Sequence, residues 1–244
     1  MVTSTVKTGR WRAVLRRLEK QYGRPEQATD RTPLEQLILG LLSDQTSERK
    51  AAQALRRLHT DFVDFNEVRV TRPRDLAQAI QMVADPFAKA RRIGRVLQQL
   101  FQKQGCVDLD FLRRWPLPQA RGFLEQLEGV NPRTVATVVL LSLEGNALPA
   151  DAAVVRISKR IGLVGRGWPA DQVQQALERA VPAEEKFAFY RLMVIHGERV
   201  CLVKTTRCEV CGLSSLCESS RTGPPAAPSA SAADRSARTP HRAK

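Results

Sequence analysis

No apolar run in this sequence is long enough to cross a bilayer. The longest, Val135 to Leu143, is interrupted and short. The N-terminal MVTSTVKTGRW lacks the apolar core and small-residue cleavage site of a secretory leader, so neither a membrane nor a secreted protein is expected. No segment alternates apolar and polar residues with period two, which argues against a sheet-built domain. Repeats of fixed period are missing, and so are glycine-rich nucleotide loops. The three histidines, His59, His196 and His241, are scattered and form no pair suited to a catalytic metal. His196, at a helix end before Gly197, reads as structural. Lysine is scarce: nine residues against 30 arginines.

What is present is a 244-residue chain, 43% hydrophobic, enough for one or two domains with a sizeable core. Its net charge is +14. Residues 219–244 hold five cations and one anion, so +10 remains with the folded part. Arginine forks match phosphate geometry, and this excess points to a nucleic-acid partner. Residues 219–244, rich in Ser, Ala, Pro and Arg, cannot bury enough apolar surface to fold and read as a disordered basic tail.

Helical periodicity runs through the rest. Residues 9–22 read as a basic amphipathic helix. Thr32-Pro33-Leu34-Glu35 carries a cap, a first-turn proline and the acid of a capping box. Leu34, Leu37, Ile38, Leu41 and Leu42 follow as a buried stripe. Further helices are predicted at about 46–58, from Pro73, from Asp85-Pro86, and at 117–127, 132–143, 152–162, 169–180 and 184–197. In the helix after Asp85, Lys89, Arg91, Arg92 and Arg95 form a cationic face, open either to solvent or to DNA.

Four of the five cysteines fall in Cys201-x6-Cys208-x2-Cys211-x5-Cys217. A disulfide framework would spread its cysteines through a small secreted chain. Four thiolates within one loop instead suit a single metal centre, a [4Fe–4S] cluster or a structural zinc, and thiolate chemistry alone does not choose between them. Cys106 stands apart and reads as a small core residue. Leu127-Glu128-Gly129-Val130-Asn131-Pro132-Arg133-Thr134 joins two helices by a tight turn. Such a turn aims backbone N–H groups and a helix N-terminus outward, toward a phosphate. Gly129 permits the turn, and Asn131 tolerates left-handed backbone better than most residues. Asp151, ahead of Ala152-Ala153-Val154-Val155, suits a helix N-cap.

Taken together these segments resemble the endonuclease III family of the helix-hairpin-helix (HhH-GPD) DNA glycosylase superfamily. The cysteine spacing after His196-Gly197 resembles that family's iron–sulfur loop, which implies [4Fe–4S] over zinc. Residues 127–134 resemble its hairpin L-P-G-V-G-x-K-T, implying DNA contacts through Gly129, Val130, Asn131, Arg133 and Thr134. Asp151 falls at the place of the family's catalytic aspartate in V-D-T-H-V-x-R-V. Leu41-Leu42-Ser43-Asp44-Gln45-Thr46 resembles L-L-S-x-Q-[AT], whose Gln fills the gap left by a flipped base, and Phe87-Ala88-Lys89-Ala90 resembles an aromatic-x-Lys-Ala segment.

The resemblance covers about residues 30–218. It implies an all-α, two-lobed fold with the cluster loop at its C-terminal end. The expected divisions are 1–31, a helix on the cluster lobe; 32–146, a six-helix barrel with the hairpin; 147–218, the cluster lobe; and 219–244, the tail. It also implies double-stranded DNA as partner, a monomer, and a cytoplasmic, DNA-associated location.

Three departures stand out. Arg133 replaces the lysine with which the family's bifunctional members attack the sugar, and a guanidinium is no amine nucleophile. Asn131 replaces a glycine, and Ala152-Ala153 replaces Thr-His. The expectation is therefore a monofunctional glycosylase in which Asp151 stabilises an oxocarbenium-like transition state or activates water. The alternatives are a catalytically silent DNA-binding protein, or a lyase working through some other amine.

Overall fold

The computed structural model describes residues 9–27 and 31–221. The described residues form twelve α-helices: α1 (Arg10–Tyr22), α2 (Pro33–Leu42), α3 (Glu48–Asp61), α4 (Phe65–Val70), α5 (Pro73–Ala79), α6 (Pro86–Gln104), α7 (Leu117–Glu125), α8 (Pro132–Ser142), α9 (Ala152–Arg160), α10 (Ala170–Ala180), α11 (Ala183–Arg199) and the single turn α12 (Glu218–Arg221). Among them there is no strand, only an isolated bridge between Cys201 and Thr206. No helix is long and apolar enough to cross a membrane.

The all-α expectation holds, and the anticipated helices form within a few residues of their predicted bounds. The short elements went unanticipated: α4, α12 and the 3-10 turns at Asp110–Arg114, Cys208–Val210 and Ser214–Leu216. All are too short for an apolar period to show. Glu218–Arg221 is helical, so the expected tail starts inside α12, and residues 222–244 lie outside the described residues.

Two helices form the centre. In α2, Thr32 Oγ1 accepts from the Glu35 amide at 3.2 Å and Glu35 Oε2 accepts from the Thr32 amide at 2.7 Å, closing the capping box. Nine of the ten α2 residues are buried, as is every α8 residue from Thr134 to Ser142. The two helices pack directly on each other, and Gly40 sets their separation. A Cβ at Gly40 would lie 2.5 Å from Thr134 Cγ2. Gly40→Ala is therefore expected to push α2 off α8 and cost about 1–3 kcal/mol, read as a drop in thermal midpoint.

α1 packs its Trp11, Val14, Leu15 and Leu18 face toward α11. Its polar side lashes the cysteine loop: Arg17 donates to the Gly212 carbonyl at 3.2 Å, Gln21 donates to the Val210 carbonyl at 3.1 Å, and the Gly212 amide donates back to Gln21 Oε1 at 3.1 Å.

Candidate functional site

A cleft of about 680 Å³ opens between α2, α3, α8, α9 and α11, and Gln45, Arg133 and Asp151 all line it. Three residues distant in sequence thus meet in one concavity of the size that takes a small ligand.

Asp151, itself extended, ends the irregular segment 147–151 and caps α9. Its Oδ1 accepts from the amides of Ala153 and Val154, both at 2.9 Å. The cap and the cleft carboxylate are the same group, so the helix holds the carboxyl in place. Burial pushes the Asp151 carboxyl above its ordinary value. The two amides and the Arg133 charge work against that rise, and Glu48 adds to it. Arg133, in the first turn of α8, donates through Nη2 to the Gly40 carbonyl at 3.3 Å. Four arginines, Arg31, Arg133, Arg156 and Arg191, line the cleft. No lysine does so among the described residues.

The Thr-His replacement has a packing counterpart. Gly197 of α11 lies so close to α9 that a Cβ there would sit 2.6 Å from the Ala153 Cβ. Arg156 binds the same junction, donating to the carbonyls of Gly197 at 3.1 Å and Cys201 at 3.0 Å. The aspartate helix is thereby tied to the start of the cysteine loop.

Several cleft residues escaped the sequence reading. Tyr190 is buried. That burial, with the charges of Asp151 and Glu48 behind it, holds its hydroxyl well above the ordinary phenol value. It is a neutral donor at any working pH. Glu48 and Glu198 meet in the cleft. Burial raises the Glu48 carboxyl first, its hydrogen bond to Glu198 second, and Arg191 and Arg31 oppose the rise. Nothing in the sequence marks these residues, because α11 reads simply as a buried helix and Glu48 as an ordinary first-turn acid of α3.

The hairpin forms between α7 and α8. Gly129 takes φ 96°, and the glycine requirement falls there alone. Asn131 departs from expectation. It is extended, at φ −90° and ψ 160°, and caps α8 by accepting from the Thr134 amide at 2.8 Å. An N-cap, rather than left-handed backbone, is what this asparagine supplies, so the turn is not weakened by it. Thr134 is also misplaced as a DNA contact: it is fully buried against Gly40, with its Oγ1 unpartnered. Asn131 and Arg133 share a second concavity of about 340 Å³ at the start of α8. Gly129 and Val130 stand outside both.

The cationic face of α6 is largely occupied. Lys89 is buried, Arg92 pairs with Asp44 at 3.2 Å and Arg95 pairs with Glu128 at 2.7 Å, which leaves Arg91 as its exposed member without such a tie. Cys106 is exposed, not a core residue, since the chain leaves α6 at Gly105.

Cys201, Cys208, Cys211 and Cys217 all line one cavity of about 560 Å³. Burial pushes the Cys211 thiol up, the Leu213 amide opposes the rise, and the neighbouring Cys201, Cys217 and Cys208 add to it. No three His, Cys, Asp or Glu among the described residues are gathered closely enough to hold a single metal ion. Arg160 stands at 3.2 Å from Cys201 Sγ. His196 bridges Tyr22 Oη at 2.9 Å and Cys211 Sγ at 3.4 Å, and burial pushes it down to about 4. His59, by contrast, sits 3.1 Å from Glu35, remote from the cleft lining. His241 lies outside the described residues.

No family model matches the chain. Endonuclease III of Thermotoga maritima is 28% identical over 203 residues, 83% of this chain and 90% of that one. An Arabidopsis thaliana protein named, provisionally, as a DNA glycosylase is 28% identical over 165 residues, 68% of this chain. The chain spans 56% of that relative's length. Among solved structures, an endonuclease III trapped in a covalent intermediate with DNA superposes with a TM-score of 0.73 at 24% identity, covering 87% of this chain and 96% of that one. A thermostable thymine-DNA glycosylase gives 0.69 at 18%, covering 87% and 97%. These two likenesses establish the fold.

Proposed function

The chain belongs to the endonuclease III family of helix-hairpin-helix DNA glycosylases, and from that premise we propose that it hydrolyses the N-glycosidic bond of a damaged or mismatched base flipped out of double-stranded DNA, without cutting the strand. One observation carries the reading: the cleft presents a carboxylate beside arginines, and no lysine lines it among the described residues. As the base leaves, positive charge develops on the sugar. Asp151, held by two backbone amides, stabilises that charge or takes the proton of an attacking water. Arg133 supplies a fixed cation for a phosphate or for the departing base. Gln45, exposed on the loop between α2 and α3, would fill the space that the base vacates.

The test is a panel of duplexes carrying uracil, oxidised pyrimidines, alkylated purines, mismatches or an abasic site, each assayed with and without hot alkali. Strand breaks that appear only after alkali are the expected result, and the duplex that yields them identifies the base. Breaks without alkali would show a lyase. Duplex binding with no breaks at all would mean a silent DNA-binding protein.

The four cysteines fit the family's [4Fe–4S] cluster. They are thiolate donors around one cavity, wide enough for more than a single ion, with Arg160 and Arg156 close by to offset their negative charge. A cluster held there would knit the loop to α1 and α11, a structural part rather than a chemical one. Anaerobically purified protein is expected to hold iron and inorganic sulfide in equal amounts. Cys211→Ala should lose both and lower the thermal midpoint. Zinc in place of iron would overturn the assignment.

A further inference from the structure

The loop between α2 and α3 raises a question that the cleft chemistry does not answer. Gln45 has φ 50°, left-handed backbone at a residue that is not glycine. Something must hold it there. Lys89 of α6 is 5% exposed, and its amine donates to the Asp44 carbonyl and, at 3.3 Å, to Thr46 Oγ1. The two residues flanking Gln45 are thus gripped by one buried ammonium. Thr46 Oγ1 in turn donates to the Asp44 carbonyl at 3.1 Å and accepts from the Ala84 amide at 3.0 Å, while Arg92 holds the Asp44 carboxylate. No carboxylate bonds the amine directly among the described residues, although burying an ammonium is costly. The same helix grips the hairpin. Arg95 pairs with Glu128, Gln99 exchanges hydrogen bonds with the Glu128 backbone, and Arg92 Cγ lies where a Cβ on Gly129 would come within 3.1 Å. One helix, α6, therefore holds both the α2–α3 loop and the hairpin.

We propose that Lys89 is a positioning residue: through the Asp44 carbonyl and the Thr46 hydroxyl it holds the loop so that Gln45 projects into the duplex. The inference rests on the reading of Gln45 as the inserting residue. Lys89 touches neither substrate nor Asp151, and its effect passes entirely through the loop. A lysine suits the place because a flexible stem carries several donors to two acceptors on one turn.

The probe is a duplex with a tetrahydrofuran abasic analogue opposite 2-aminopurine, titrated with full-length protein. Insertion of a side chain disturbs the stacking of the orphaned 2-aminopurine and changes its fluorescence. Lys89→Met is expected to lose at least half of that change while binding undamaged duplex within twofold of the parent. Gln45→Ala should lose the signal equally, and the double variant should be no worse than either single one, because the two act as a unit. Lys89→Gln, which keeps a donor, should recover part of it. A parent-sized signal in Lys89→Met, with the signal lost in Gln45→Ala, overturns the role of Lys89 alone. A full signal in Gln45→Ala overturns the insertion reading and the inference with it. Should Lys89→Met fold poorly, Lys89→Gln decides the matter: a reduced signal with undamaged-duplex binding kept supports the role, and a parent-sized signal, or weakened binding to undamaged and abasic duplex alike, overturns it.

Discussion

Asp151→Asn is expected to reduce single-turnover base release about 10²–10⁴-fold while leaving duplex affinity within twofold. The structure makes this substitution cleaner than alanine. Asp151 Oδ1 caps α9 through the amides of Ala153 and Val154, and an asparagine oxygen accepts the same two bonds. Asn and Asp are near-equal caps, whereas alanine would cost about 1 kcal/mol of cap energy. The sign of the pKa shift makes a second readout. Burial raises the folded-state value of Asp151 above the unfolded one, so the stability it contributes is present at low pH and is lost as pH rises through the folded value. Wherever it is ionised, the carboxylate is held against a desolvation cost. The thermal midpoint of Asp151→Asn should therefore equal or exceed that of the parent, although its activity is gone. Catalysis has the opposite dependence. The ionised form does the work, so excision falls on acidification sooner than an ordinary carboxylate would dictate. A variant that stays active, or one that loses duplex affinity along with activity, would show Asp151 to be only a cap.

The same residue shows how far sequence reasoning reaches. Capping signals are local, and they proved accurate. Thr32-Pro33-Leu34-Glu35 gives the box that the structure displays, and the aspartate before Ala-Ala-Val-Val gives the cap of α9. A local signal cannot say whether a cap faces a cleft. That came from the separations between hairpin, Asp151 and cysteine loop, which carry information about three-dimensional proximity through the family resemblance. Lys89 reads as part of a face open to solvent or to DNA because a lysine among arginines at helical spacing carries no sign of burial. What buries it is the approach of a loop more than forty residues earlier in the chain. Tyr190, Glu198 and Glu48 were silent for a related reason. Tyr190 and Glu198 reach the cleft through the packing of α11 against α9, Glu48 from the first turn of α3, and Tyr190 within FAFYRLMVIHG has the spacing of any core residue. Asn131 was expected to imitate the glycine it replaces, yet its side chain found an amide to accept from and the backbone settled in the extended region.

Arg133→Lys should convert the protein from an enzyme that leaves an abasic site into one that also forms a covalent bond to it. The position lines the cleft beside Asp151, and the guanidinium spends one N–H on the Gly40 carbonyl, a bond an ammonium can also donate. A lysine there would sit among Arg31, Arg156 and Arg191, and like charges together with partial burial favour the neutral amine. The amine nitrogen attacks the anomeric carbon as the base departs with its bonding pair, the C1′–O4′ bond then breaks to open the sugar ring, and the two amine protons pass to the departed base and to the ring oxygen, leaving an imine between lysine and sugar. Borohydride reduces that imine to a stable secondary amine. A protein–DNA adduct that withstands denaturation is expected for Arg133→Lys and absent for the parent, and strand breaks should then appear without alkali. Adding Asp151→Asn should remove the adduct, because the carboxylate supports departure of the base in either mechanism. An adduct with the unaltered protein would mean that another amine reaches the sugar, and the monofunctional reading would fall. If Arg133→Lys releases base at the parent rate but never forms the adduct, the cleft holds the sugar beyond reach of this position, and Arg133 then belongs to the phosphate rather than to the reacting carbon.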